Sequence, residues 1–275
     1  MSASCDLAQQ INGLAVPPGQ LALWSLGQAG FVIKGGSTLA IIDPYLSNSI
    51  GEQGGPNRRF PPPLDPTDLT DVQVVFATHE HQDHTDPATL LALLASSPGA
   101  LLVASPQGQQ IALDAGLEQK RIFVPRVGER IAMDHLAYTA VPAAHYQYEV
   151  DEQQRARWMG FVIECNGVTL YHSGDTIMTP ELLPALDAFT LDLALLPING
   201  RDFFREEQEI VGNLWPGEAI QLAQRLTPRV LIGMHNDLFA ENRVRPGLLF
   251  DEMDRLAPFL RCHLLQPGEL YLYAG

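Results

Sequence analysis

The stretch Val74-Val75-Phe76-Ala77-Thr78-His79-Glu80-His81-Gln82-Asp83-His84-Thr85-Asp86-Pro87 decides how this chain is read. It opens as an apolar, β-branched run, the pattern of a buried strand. Three imidazoles and two carboxylates then fall within residues 79–84, and Pro87 stands where a helix would take its first turn. Side chains at a strand's carboxyl end, just before a helix, sit on a loop held from both sides. In an extended segment residues i and i+2 project to the same side, so His79 and His81 can bite one ion. Asp83 and His84 follow once the chain has begun to turn, so they can reach a second position. Imidazole suits zinc, iron, manganese or nickel, and a carboxylate adds a hard oxygen. The plain alternative is a polar loop that caps the next helix through Asp83 or Asp86. Three imidazoles so close together, directly after a buried strand, weigh against it.

The chain has 275 residues, enough for a sizeable core in one large domain or two small ones. Its formal net charge of −15 would repel nucleic acid, which excludes that class of partner. Three cysteines, Cys5, Cys165 and Cys262, lie far apart in an odd number, which argues against a disulfide framework and for a reducing cytoplasm. The segment Met1-Ser2-Ala3-Ser4-Cys5-Asp6 lacks the basic and apolar regions of a signal peptide. No apolar run approaches the roughly 18 residues of a membrane span.

Residues 1–20, with Pro17-Pro18-Gly19, read as a short arm before the domain. Short apolar runs at 21–26, 31–34 and 38–43, separated by Gly27-Gln28-Ala29-Gly30 and Gly35-Gly36, predict a β-meander. Residues 47–66 are irregular, rich in Gly and Pro, and include Arg58-Arg59; a loop of that length suits the rim or lid of a site. Downstream, helices are predicted at 88–95, 106–115, 179–188, 216–226 and 248–256. Strands are predicted at 101–104, 121–125, 130–133, 136–142, 158–165, 168–172, 192–197, 229–235, 260–265 and 270–273. Asn166-Gly167 turns the hairpin between two of these strands. Residues 147–157 read as a mobile polar connection, His135 as a surface residue in a turn, and His263 as structural. The alternation of strands and helices indicates α/β layers. Further strands end in metal-capable residues: His145 after Val141-Pro142, Asp175 within His172-Ser173-Gly174-Asp175-Thr176, and His235 before Asn236-Asp237. Asn199 and Arg201 also stand at a strand's carboxyl end, where substrate groups are met. His172 is placed to hold a ligand in orientation.

Thr78-His79-x-His81-x-Asp83-His84 after an apolar strand resembles the signature of the metallo-β-lactamase-fold hydrolase superfamily. The resemblance covers roughly residues 21–273. It implies an α/β, four-layer αβ/βα sandwich formed as a single domain over 21–275, with the site at one edge. It further implies that His79, His81 and His145 hold one divalent ion, that Asp83, His84 and His235 hold a second, and that Asp175 bridges them. Manganese or zinc would be the ions by resemblance, and the imidazole-rich set alone favours zinc. Leu26-Gly27-Gln28-Ala29-Gly30-Phe31, Ile42-Asp43-Pro44-Tyr45, Pro142-Ala143-x-His145 and Pro197-Ile198-Asn199-Gly200-Arg201 resemble the branch that contains L-ascorbate-6-phosphate lactonase. The chain departs from glyoxalase-like and lactamase members, which carry Gly-His-Thr where Ala144-His145-Tyr146 stands.

On that template a hydroxide generated between two ions would attack a lactone carbonyl, with Asp83 or Asp175 orienting water and carrying protons. Arg58, Arg59 or Arg201, with Asn199, would bind the phosphate or carboxylate of a small anionic substrate. The alternative reading is a phosphodiesterase working on a phosphorylated small molecule or lipid head group. A di-iron redox protein of the same fold would carry Glu in place of His81. The resemblance also implies a homo-oligomer.

Overall fold

A computed structural model of the chain describes residues 3–275, with side chains from Asp6 onward; Met1, Ser2 and the side chain of Cys5 lie outside the described residues. The first half begins with the antiparallel meander β1 (Gln20–Gly27), β2 (Gly30–Gly35) and β3 (Thr38–Ile42). To this, β4 (Val74–Ala77), β5 (Leu101–Ala104) and β6 (Ile122–Phe123) add in parallel. The second half repeats the plan. Strand β7 (Arg130–Ala132) and the strands β8 (Leu136–Pro142), β9 (Met159–Cys165) and β10 (Val168–His172) run antiparallel, and β11 (Leu193–Pro197), β12 (Val230–Met234) and β13 (Arg261–Leu264) add in parallel. Strand β14 (Leu270–Ala274) returns to pair with β1. The result is two seven-stranded sheets, ordered β14-β1-β2-β3-β4-β5-β6 and β13-β12-β11-β10-β9-β8-β7.

The helices are α1 (Ala3–Gly13), α2 (Ser49–Glu52), α3 (Pro87–Ser96), α4 (Pro106–Asp114), α5 (Leu182–Leu186), α6 (Phe203–Glu206), α7 (Pro216–Leu226) and α8 (Gly247–Leu256). Helices α1, α3 and α4 cover the outer face of the first sheet, and α5, α7 and α8 that of the second. This is the metallo-β-lactamase αβ/βα sandwich. Because both faces of each sheet are covered, the central strands are apolar throughout instead of alternating. The period of two then sorts neighbours between cores. Val74 and Phe76 point between the sheets, while Val75 and Ala77 face α1 and α3. Phe76 packs at the centre, its ring 5.1 Å from Tyr138 and 4.9 Å from Phe161 of the other sheet.

Three expectations need correction. The arm at 1–20 is not separate: Ala8, Ile11 and Val16 are buried in the outer core of the first sheet. The Lys34 ammonium donates to Ile11 O and Asn12 O at the carboxyl end of α1, where the helix dipole favours a cation. The helix predicted at 179–188 shrinks to α5, since Pro180 and Pro184 cannot donate to a helical ladder. The strand predicted at 121–125 shrinks to β6. Arg121 is drawn into a turn, where its guanidinium donates to Leu94 O in the last turn of α3 and to Ser97 O and Ala100 O beyond it.

Substituting Phe76→Ala removes a fully buried ring from the inter-sheet core. Chemical denaturation of the metal-free protein is expected to show a loss of about 3–5 kcal/mol. Phe259→Ala, at a side chain 97% exposed, is expected to stay within about 0.5 kcal/mol of the parent.

Candidate metal centre

Strands β1, β3, β4, β8, β10 and β12 all deliver their carboxyl ends to one edge of the sandwich. After β4, the backbone N–H groups of His84 and Thr85 both donate to His81 O, at 2.9 and 2.8 Å, so the chain turns back on itself. That turn separates His79 and His81 from Asp83 and His84, as the spacing anticipates. Two sets of potential ligand atoms result, each within 4.8 Å of one another: His79, His81, His145 and Asp175, and Asp83, His84 and His235. Asp175 reaches both sets, lying 3.0 Å from His235 Nε2, 3.3 Å from His84 Nε2 and 4.0 Å from His145 Nε2. His79, His84, His145, Asp175 and His235 are buried, while His81 and Asp83 keep partial exposure and mark the side open to solvent.

The distances fit ions. His79 Nε2 and His145 Nε2 stand 3.4 Å apart, and His84 Nε2 and His235 Nε2 stand 3.3 Å apart. Two imidazole nitrogens, each about 2.0–2.1 Å from one tetrahedral ion, would be separated by about 3.3–3.4 Å. Asp175 Oδ1 is buried with no well-aligned hydrogen bond, only the His84 imidazole at 3.3 Å, an arrangement that a cation would satisfy better.

The charge states of the two sets differ. Burial holds His145 down at about 3 and pushes His79 well below its usual value, the latter helped by neighbouring His84 and His81. In the second set burial also lowers, but the carboxylates outweigh it. Asp175, Asp43 and Asp83 raise His84 well above its usual value, and Asp175 and Asp83 raise His235 to about 9. Reciprocally, and against burial, these imidazoles hold Asp83 and Asp175 below the usual carboxylate range.

Asp43 orients ligand-capable residues of both sets, a role not read from the sequence. It is fully buried at the end of β3. Its Oδ2 accepts from His84 Nδ1 and from Thr78 Oγ1, each at 2.7 Å, and its Oδ1 accepts from Thr78 N at 2.8 Å. With its proton given to Asp43, the Thr78 hydroxyl is left to accept from His79 Nδ1 at 3.0 Å. One carboxylate therefore turns the Nε2 of His84, and through Thr78 that of His79, toward the cluster. The signal was Asp43-Pro44 at the end of a strand next to β4, which reads equally well as a turn. His172 works through backbone: its Nε2 donates to Ala29 O at 2.8 Å, and its Nδ1 accepts from Gly174 N at 3.1 Å. Gly174 has φ +59°, and a Cβ there would stand 2.7 Å from Met159 O, so the loop carrying Asp175 packs this closely only with glycine.

The residues proposed for substrate binding have other partners. The Arg201 guanidinium forms a two-pronged pair with Glu218 at 2.6 and 2.7 Å. Arg58 donates to the carbonyls of Tyr45, Ser47 and Phe60, pinning the 45–60 loop, and Arg59 donates to Asp237 O. Asn199 is fully buried in amide contacts with Asn213 and Asn242. A guanidinium in so acidic a chain looks free in the sequence, but here Arg58 and Arg201 brace the rim.

A sequence profile described as "Beta-lactamase superfamily domain" matches residues 39–236. The chain is 27% identical to a UPF0173 metal-dependent hydrolase of Methanopyrus kandleri over 249 residues, covering 90% of this chain and 97% of that one. A UPF0173 metal-dependent hydrolase of Alkaliphilus metalliredigens has the same identity and coverage. Among solved structures, Igni18, a metallo hydrolase from Ignicoccus hospitalis, aligns at TM-score 0.67 and 20% identity over 92% of this chain and 98% of its own. CmlA, a diiron β-hydroxylase from Streptomyces venezuelae, aligns at TM-score 0.67 and 15% identity over 94% of this chain and 54% of its own. At such identities the structural matches speak to fold alone, whereas the profile spans most of the chain: it belongs to the β-lactamase superfamily, in the metallo-β-lactamase fold.

Proposed function

We propose that this chain is a metal-dependent hydrolase that holds two divalent ions, zinc or manganese, and opens the ester bond of a lactone. The observation that carries the reading is the pair of ligand sets with Asp175 within reach of both. Ions held there would polarise the bond under attack and activate water at neutral pH. His79, His81 and His145 would hold one ion, Asp83, His84 and His235 the other, and Asp175 would bridge. Asp83, whose side chain is 16% exposed against 3% for Asp175, is the carboxylate placed to take a proton from incoming water. A carbonyl substrate is favoured over a phosphodiester because Arg58 and Arg201 are committed to protein acceptors, which leaves a weaker clamp for phosphate. Among the described residues no helix is long and apolar enough to cross a membrane. A homo-oligomer in the cytoplasm, its cysteines reduced, completes the proposal; Cys165 and Cys262 are free thiols.

Elemental analysis of the purified protein is expected to give two ions per chain. His79→Ala combined with His81→Ala is expected to remove at least one ion and to lower lactone hydrolysis by more than 100-fold. Full activity in that variant would overturn the reading, and faster turnover of bis-nitrophenyl phosphate than of lactones would reassign the substrate class. Asp43→Asn, which leaves the shape but removes the charge that orients His84 and Thr78, is expected to weaken ion binding about 10–100-fold, measured by competition with a chelating dye.

Ion uptake should release protons. In the metal-free protein the carboxylates around His84 and His235 favour their protonated forms, and an ion must displace those protons. Binding heats measured in buffers of different ionisation enthalpy are expected to show release of about one to two protons per chain. A raised histidine pKa contributes stability that is complete below the unfolded value of 6.5 and is lost as pH rises through about 9. The melting temperature of the metal-free protein is therefore expected to fall between pH 6.5 and 9. A flat profile would show that these imidazoles are neutral.

A further inference from the structure

Apart from Asp175, which reaches both, each ligand set has three members. A side chain from the β1–β2 turn stands among the second set. Gln28 is 3% exposed, and its Nε2 donates to Asp83 Oδ2 at 2.7 Å and lies 3.2 Å from His235 Nε2. Neighbouring ligands of one ion stand at such spacings from one another, as the His84–His235 pair does.

The backbone holds the amide there at a cost. Gln28 has φ +57°, a region that residues other than Gly, Asn and Asp seldom enter, and strain of this kind gathers at functional positions. Its N–H donates to Asp237 Oδ1 at 2.8 Å, and its carbonyl accepts from His235 N at 2.7 Å. Gly27 beside it, at φ +86°, lies against the Phe60 ring, where an added Cβ would approach to 2.6 Å. A tight turn between β1 and β2 has no need of a glutamine clamped at both backbone groups with its side chain buried.

Resting on the two-ion reading above, we propose that Gln28 supplies a further protein ligand of the Asp83/His84/His235 position, beside the bridging Asp175, through its amide oxygen. Without an ion, the amide presents its N–H end to Asp83. The two ends exchange by rotation about the terminal side-chain torsion, whose barrier is soft and two-fold. With an ion present, the oxygen end turns inward, and both Asp83 Oδ2 and His235 Nε2 are released to the cation. A neutral oxygen makes this position the weaker and more exchangeable of the two.

The test is a metal titration with Zn²⁺ and with Mn²⁺, read by calorimetry and by equilibrium dialysis with elemental analysis. Parent, Gln28→Leu and Gln28→Glu proteins are compared after their metal-free melting curves show that each folds. In Gln28→Leu, which keeps the bulk and lacks the amide, the first ion is expected to bind as in the parent and the second at least 10-fold more weakly. Gln28→Glu is expected to restore or exceed parental binding of the second ion. A second ion bound equally or more tightly in Gln28→Leu would overturn the proposal, because the amide would then be a bystander or a competitor for His235. Equal weakening of both ions would also overturn it, as would failure of Gln28→Glu to rescue. A parent protein that binds one ion only would sink the two-ion reading and this inference with it, and that result is visible before any variant is made.

Discussion

Two imidazole nitrogens buried 3.3–3.4 Å apart cannot both face each other with bare lone pairs; a proton or a cation has to stand between them. That requirement is met differently in the two halves of the centre. Around His79 and His145, burial keeps the rings neutral and Thr78 claims the proton on His79 Nδ1, so the proton between the facing nitrogens is that of a neutral His145, and a cation needs only a change of tautomer there. Around His84 and His235, the carboxylates of Asp43, Asp83 and Asp175 keep protons on the rings. The same architecture thus offers one position ready for an ion and another that must exchange protons for it.

The fold creates this convergence by using one plan twice. Each half is a meander followed by parallel strands, and the halves face each other so that the carboxyl ends of β4, β8, β10 and β12 meet at one edge. The Phe76, Tyr138 and Phe161 cluster fixes the spacing of the sheets beneath the site. Small changes there would alter the nitrogen–nitrogen distances above, because a close-packed interior transmits strain. Local strain reports the same thing. Gln28, Asp43 and His235 all have positive φ, and all three contribute side chains to the cluster, whereas Asn166 and Thr227 have positive φ in a hairpin turn and a helix cap.

Much of this was legible in the sequence. The 74–87 stretch revealed a strand, a turn and a helix because its periodicity and its Pro87 are local signals. The i and i+2 geometry of His79 and His81 needs no tertiary information either. Asp43 was not legible, since an Asp-Pro pair after a strand looks the same whether the carboxylate caps a turn or faces a neighbouring strand. Gln28 was hidden between glycines that announce a hairpin. Arg58 and Arg201 misled for a related reason. A guanidinium is assigned to a ligand when its partners are distant in sequence or are backbone carbonyls, and Glu218 lies 17 residues from Arg201. Helix α1 was missed because only Leu7, Ala8 and Ile11 carry its apolar face.

The two sides of the centre also differ in how they are walled. On the side of the second ligand set, the 45–60 loop is tied down at many points. Ser49 Oγ donates to Asp86, the helix cap of α3, and Arg59 N donates to Leu238 O. Tyr45, Leu238 and Phe239 form a small core with Ile50 and Phe60, over which Arg58 lies. Moving that wall would expose apolar surface and strand three carbonyls at once. On the side of the first set, Tyr146 is 64% exposed, but the chain after it is anchored: Tyr148 and the fully buried Ala156 pack on the inter-sheet core, and Gln154 O accepts from Val127 N. Arg157 spans the boundary, pairing with Glu80 between the two motif histidines and lying over the Trp158 ring, which itself meets His145 edge-on. Exposed ion pairs contribute about 0–1 kcal/mol each, so the Arg155–Asp151 and Arg157–Glu149 pairs add little, and this margin is held mainly by Ala156 and Tyr148 in the core. His81 and Asp83, one from each set, are the ligand-capable side chains that keep partial exposure, so solvent meets the centre between the two walls.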